Sequence, residues 1–233
     1  MGSATLVRNI GQLRRRLDLG GGDPRHIVTP ADLIRESIET GLPRRFQPTA
    51  VRQYHYRNVP HLLRGLKTLV AAHIFRIPTI NGSLRLKVIR ADGVEIDLGL
   101  VSLRVVTTTG VGRIVKAFDN TVTDITMKYH ALGTGGTAEA TGDTALVAEI
   151  TTAYTPANTR ATATLSEPSG NVSQSLATNT IQTTTVANTE HGVMDQAATG
   201  GGNLLDRTLY TVVNLAIGDS LQSTYQLTFA AGG

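Results

Sequence analysis

The chain has 233 residues, 40% of them hydrophobic and 4% aromatic, with no cysteine and no tryptophan. Its core must therefore come from Val, Leu, Ile and Ala, without help from a disulfide or a thiolate zinc site. No run reaches the roughly 18 consecutive apolar residues that a membrane helix needs, and no compact apolar segment precedes a small-residue cleavage site, which predicts a soluble protein made in a cytoplasm.

The formal charge of +4 is unevenly placed. Residues 1–80 hold 13 Lys/Arg against 5 Asp/Glu, net +8, which leaves 9 against 13, net −4, for residues 81–233. Twelve of those first 13 cations are Arg, the side chain suited to bidentate pairing with carboxylate or phosphate.

Residues 1–48 read as an extended, arginine-rich arm. "NIGQLRRRLDLGGGDPRHIV" has scattered apolar residues and a Gly20, Gly21, Gly22 break, too little to bury a core alone. A short helix is predicted near residues 30–40, with Thr29 as N-cap, Pro30 at the first helical position and Gly41 as the stop. Pro43 and Pro48 mark a further basic, extended piece, "LPRRFQPTAVRQYHYRNVP", which carries Phe46, Tyr54 and Tyr56. The candidate partner-binding residues are Arg8, Arg14, Arg15, Arg16, Arg25, Arg44, Arg45 and Arg52.

Residues 49–125 form a mixed region. Leu62, Leu63, Leu66 and Leu69 predict a helix near 60–73, weakened by Gly65. From Asn81 the period becomes two: Leu84, Leu86 and Val88 alternate with Arg85, Lys87 and Arg90, Asp92-Gly93 turns, and Val94, Ile96 and Leu98 resume, which predicts a β-hairpin. "VSLRVVTTTGVGRIVKAF" continues the β pattern to Phe118.

Residues 126–233 are rich in Thr and Gly. Short runs at "LVAEITTAY", "RATATLS", "TIQTTTVAN", "RTLYTVVNL" and "STYQLTF", separated by turn residues, predict an antiparallel β-sandwich or barrel. Gly200, Gly201 and Gly202 turn into a last hairpin whose own turn is Gly218-Asp219. The fold class is thus mainly β, with an extended basic N-terminal arm and one or two short helices.

No catalytic, cofactor or metal set emerges. "TTTGVGRIVKAF" lacks the third glycine of the dinucleotide fingerprint, since Val115 stands there, and no Lys-Ser/Thr pair follows the glycines of "LGTGGTAEATG"; both read as β-turns. His130, His191, Asp195 and Asp206 accompany many hydroxyls, but no nucleophile elbow frames a serine, and His191 reads as a loop histidine. His55 and His61 have no compact ligand set around them. Asp206 and Arg207 point to opposite faces if in a strand; Arg207 could then bridge to a neighbouring strand or subunit, but the pair reads rather as a solvated surface pair. Glu139 with Glu149 is the nearest carboxylate pair, with nothing beside it to support glycoside chemistry. Arg interleaved with Tyr and Phe also suits nucleic acid, but no recognised binding module frames it, and a protein surface with carboxylates is the favoured partner.

The blocks "KYHALGTG", "TEHGVMDQAATGGG", "LLDRT" and "GDSLQ" give residues 90–233 a likeness to a class of small structural proteins of tailed bacteriophages. An arginine-rich arm leading into a compact β domain resembles a capsid cement, or decoration, protein. The resemblance implies a non-enzymatic virion component that binds the major capsid protein and itself as a trimer at threefold positions, its arm crossing subunit boundaries. A tail, neck or baseplate component is the runner-up, with the loops at 133–143 and 196–203 touching glycan on a host surface.

Overall fold

The computed structural model describes residues 49–74, 79–121, 126–155 and 158–230. The arm of residues 1–48 and its helix near 30–40 lie outside the described residues. The chain divides into two compact units, Met1–Tyr56 and Arg57–Gly233. The second holds every strand among the described residues, and one helix leads into it.

That helix, α1, spans Thr49–Ile74. It starts eleven residues before the predicted boundary and takes in part of the piece expected to be extended. Pro60 lies inside it and accounts for the misplaced boundary: a proline removes one intrahelical bond and disfavours the α conformation of the residue before it, without always ending a helix. Asn58, buried, fixes the helix to the β unit. Its Nδ2 donates to the Val101 carbonyl at 2.5 Å, and its Oδ1 accepts from the Thr211 N–H at 3.1 Å.

The predicted hairpin is present as β1 (Thr79–Ile89) and β2 (Glu95–Val105). The Arg90 carbonyl accepts from Gly93 N–H, and Gly93 adopts φ 85°. Alternation sends Leu84, Leu86 and Val88 into the core.

The β pattern does not continue to Phe118. Residues Thr108–Phe118 form helix α2. The Thr107 hydroxyl caps it, accepting from Gly110 N–H at 3.0 Å, as a threonine at this position does. Gly110 is the reason the helix fits: a Cβ there would stand 2.5 Å from the Leu205 carbonyl oxygen and 2.8 Å from its Cα. Of the two glycines read as a turn, Gly110 is therefore a close helix-to-strand contact, while a Cβ at Gly112 would meet nothing within 4 Å. Gly110→Ala is expected to destabilise the fold by about 1–3 kcal/mol through overpacking, measured as a lowered urea midpoint; an unchanged midpoint would show that the strand carrying Leu205 can retreat without cost.

Eight further strands follow: β3 (Tyr129–Gly133), β4 (Tyr154–Thr155), β5 (Ala161–Thr162), β6 (Thr164–Ser169), β7 (Val172–Ile181), β8 (Val186–Met194), β9 (Leu204–Leu215) and β10 (Ser220–Ala230). Two antiparallel sheets result. One has the order β2-β1-β10-β7-β4, with β6 also on β7; the other has the order β5-β3-β8-β9. The chain is mainly β, as predicted, and polar side chains of the two sheets meet across the interior.

Two local expectations are corrected. "LVAEITTAY" is largely not a strand: Glu149 makes an isolated bridge to Gly133, and only Tyr154 of the run enters a strand. Its Val147 and Ala148 N–H groups bond a carboxylate instead of a ladder. The last two runs are strands joined by a Gly218-Asp219 turn, but they are not a hairpin. Strand β9 pairs with β8, whereas β10 pairs with β1 and β7, so the turn is a corner between sheets. Asp219 holds it: Oδ2 accepts from Ala216 N–H at 2.8 Å and from Arg90 Nη1 at 2.6 Å, and Oδ1 from Ala91 N–H at 3.0 Å.

Strand β9 borders its sheet, and its free edge is covered. Thr107 N–H donates to the Leu205 carbonyl and the Thr107 hydroxyl to that of Leu204. The Leu209 N–H is taken by Glu139, the Thr211 N–H by Asn58 and the Asn214 carbonyl by Arg90. Edges of this kind otherwise template further strands.

Candidate functional site

Of the eight candidate arginines, Arg8, Arg14, Arg15, Arg16, Arg25, Arg44 and Arg45 lie outside the described residues, and Arg52 lies in the first turn of α1. The described residues show instead what the acidic and histidine residues of the β unit do.

Glu190 on β8 and Arg207 on β9 form a buried pair, Arg207 Nε donating to Glu190 Oε2 at 2.8 Å. The carboxylate accepts three more bonds, from the N–H groups of Gly135 (3.0 Å), Val147 (3.2 Å) and Ala148 (2.8 Å). The guanidinium also donates to Asp143 Oδ2 and the Thr137 carbonyl, each at 3.0 Å. A burial this deep is tolerated only when every charge is paired and bonded. The pair fastens residues 134–149 to the second sheet. The expectation of a solvated Asp206-Arg207 pair is overturned, because both side chains are buried, and the alternative of an Arg207 bridge to a neighbouring strand is the one present, to Glu190 of β8.

Glu149 receives Arg160 through both oxygens, from Nε at 2.6 Å and Nη2 at 2.9 Å, and also accepts from Gly200 N–H at 2.9 Å. Glu139 accepts from Leu209 N–H and from Arg64 Nη1. The two are thereby separate clamps rather than a carboxylate pair. Asp195 binds the N–H and Nδ2 of Asn203 and the Arg113 guanidinium.

Between the sheets lies a polar cluster. His130 on β3 sets Nδ1 2.7 Å from Ser223 Oγ of β10 and Nε2 2.9 Å from Ser175 Oγ of β7. His191 Nε2 stands 3.0 Å from His130 Nδ1, with the rings edge to face at 4.8 Å. His191 is a strand residue, not a loop histidine, because Thr208 opposite it and His130 beside it complete a polar layer. Asn179 joins the sheets again, donating to the His130 carbonyl and accepting from Ala161 N–H. Burial lowers the His130 pKa from 6.5 to about 3; burial first, and then His130, push His191 well below 6.5. Both rings are neutral at pH 7. The Tyr225 hydroxyl is held protonated by burial and then by the neighbouring Asp206 carboxylate.

An apolar cleft of about 540 Å³ opens beside this cluster, walled by Ile114 and Phe118 of α2, Leu165, Leu227 and Phe229, with Ser175 and Tyr225 also lining it. Ser175 and His130 have the contact of a nucleophile and its base. Two features deprive it of power: a base held near 3 is poorly matched to proton transfer at neutral pH, and the second nitrogen of His130 faces Ser223 and His191 rather than an orienting carboxylate, unlike a catalytic triad.

Among the described residues no three His, Asp or Glu side chains converge as a metal site, and no helix is long and apolar enough to cross a membrane. His55 and His61 both lie on α1. A scan against protein-family models finds no match to this chain, and a search of curated proteins finds none either.

Proposed function

We propose that the chain is a non-enzymatic structural component of a tailed-bacteriophage particle, a cement protein that binds the major capsid protein and holds neighbouring shell subunits together. The observation that carries this reading is the partition of charge. Asp143, Glu149, Glu190, Asp195 and Asp219 of the β unit are each bonded by its own arginines, while residues 1–80 carry net +8. Carboxylates on another protein are the simplest match for that excess. Exposed ion pairs contribute only about 0.2–1 kcal/mol each, so an arginine-rich arm gains strength through number. The resemblance of the blocks within residues 90–233 supplies the phage context.

A tail, neck or baseplate role is the second reading. It is favoured by the mostly exposed loop within residues 133–143, which the Glu190–Arg207 pair ties to the second sheet; in this reading the loop is what touches a host glycan.

Quantitative mass spectrometry of purified particles separates the two. Copies in the hundreds, near one per capsid subunit, support cement; a few copies to a few dozen support the tail. Deleting residues 1–28, or replacing Arg14, Arg15 and Arg16 by Ala, is expected to weaken attachment, most visibly at low salt, where screening is least. Undiminished attachment at every salt concentration would overturn the role of the arm. Labelling of Ser175 by a fluorophosphonate probe would overturn the non-enzymatic reading.

A further inference from the structure

The hydrogen bonds between the two sheets run in one direction. Both histidine rings are neutral at pH 7, so each carries a single proton. His191 Nε2 stands 3.0 Å from His130 Nδ1, and one of those two nitrogens holds the proton of their bond. Were it His130, the His191 proton would have to sit on Nδ1, which is buried and has no partner among the described residues. The Ser223 hydroxyl, fully buried with His130 Nδ1 as its partner at 2.7 Å, would then lack an acceptor as well. Two buried donors would be orphaned, each at the full cost of desolvation. With the proton on His191 Nε2 neither is: His130 Nδ1 accepts from His191 and from Ser223, and His191 Nδ1 keeps only an unused lone pair.

The His130 proton is then on Nε2, which donates to Ser175 Oγ at 2.9 Å. Ser175 is the acceptor in this bond, and its own O–H is left over. No acceptor among the described residues takes that proton, and Ser175, 4% exposed, lines the apolar cleft. The bonds from His191 to His130 to Ser175 therefore deliver one hydroxyl donor to the wall of the cleft. The same direction denies Ser175 a base, because His130 meets it with a proton instead of a lone pair.

We propose that the cleft binds an uncharged, largely apolar molecule through a carbonyl oxygen that accepts from the Ser175 hydroxyl. The volume of about 540 Å³ lies within the roughly 300–1,000 Å³ of small-molecule sites, which pair apolar walls with a few placed polar groups. The mouth is apolar and open: Phe118, Leu165 and Phe229 of the lining are 84%, 47% and 37% exposed, a grouping at one opening rather than scattered single residues. A carboxylate is a poor occupant. Tyr225, opposite Ser175 on β10, has Asp206 beside its hydroxyl, and Arg113 of the wall is already bonded to Asp195 at 3.1 Å. Such binding does not depend on a phage role.

The experiment titrates the full chain with prodan, a dimethylaminonaphthalene bearing a propionyl ketone, and with the same naphthalene bearing a propyl group instead, both read by fluorescence anisotropy. Prodan should bind saturably. Ser175→Ala should weaken prodan by roughly three- to tenfold, the size of one hydrogen bond, and leave the propyl compound unchanged, while Ala117→Trp, which fills the cleft from α2, should abolish both. If Ser175→Ala does not fold, two spectra of the wild type take its place: the ketone stretch of bound prodan should lie below its value in hexane, and nitrogen-15 spectra should find the His130 proton on Nε2. A wild type that binds no prodan, as when a segment of the chain already fills the cleft, would overturn the proposal. So would a folded Ser175→Ala variant that treats the two probes alike, prodan binding that survives Ala117→Trp, an unshifted ketone stretch, or a His130 proton on Nδ1.

Discussion

Arg207→Leu is expected to destabilise the β unit by about 3–5 kcal/mol, the usual cost of removing one partner from a buried ion pair. The substitution leaves Glu190 charged, buried and short of one of its four donors, and frees Asp143 and the Thr137 carbonyl from the guanidinium. Domains are commonly stable by about 5–15 kcal/mol, so much of the reserve would go. Urea unfolding reads the loss, and limited proteolysis should cut first within residues 134–149, which Arg207 and Glu190 fasten together. Adding Glu190→Gln to Arg207→Leu should restore part of the stability, since the orphaned charge disappears. A single variant within about 1 kcal/mol of the parent would mean that water replaces the guanidinium without cost.

The second large effect is a loss of stability in mild acid. His130 binds a proton near pH 6.5 when unfolded but near 3 when folded. Between these values the unfolded state holds more protons, so the contribution is fully present above the unfolded value and is lost progressively as pH falls toward the folded one. For His130 the loss is about 2 kcal/mol at pH 5, from about 1.4 kcal/mol per pH unit below 6.5. His191, lowered by burial and by its neighbour, acts in the same direction. Urea midpoints at pH 7.5, 6.5, 5.5 and 5.0 test this above the usual carboxylate range. His191→Phe should flatten the slope whatever it does to the absolute stability. A parent midpoint that does not move over this range would show that both rings take up protons in the folded state.

The sequence disclosed the fold through alternation. Leu84, Leu86 and Val88, and later Leu221, Tyr225 and Leu227, face inward at every second position, and Asp92-Gly93 announces a tight turn. What alternation could not disclose is a strand whose inward face is half polar. In β7, Ser175 and Asn179 are buried while Leu176 is 36% exposed, because His130 on the opposite sheet supplies hydrogen-bond partners for both. At Thr108–Phe118 the local signal was misread: Val111, Ile114, Val115 and Phe118 follow the i, i+3, i+4, i+7 spacing of a helix, and the contact that seats it, Gly110 on Leu205, joins residues 95 positions apart. The candidate site was legible as a set of blocks but not in its role. "KYHALGTG", "TEHGVMDQ" and "LLDRT" contribute His130, Glu190, His191, Asp206 and Arg207, which meet within β3, β8, β9 and their surroundings and act as internal ties.

The corner at Gly218-Asp219 has a consequence for biosynthesis. Of the described strands β10 is the last in the chain, yet it lies in the middle of the larger sheet, between β1 and β7. Until it leaves the ribosome, the pair β1-β2 and the group around β7 share no ladder, and two strand edges stand open. A chain that stops before Ser220 therefore retains most of its sequence and none of the bonding that unites that sheet. Such chains should aggregate through the open edges instead of passing as a slightly shortened product.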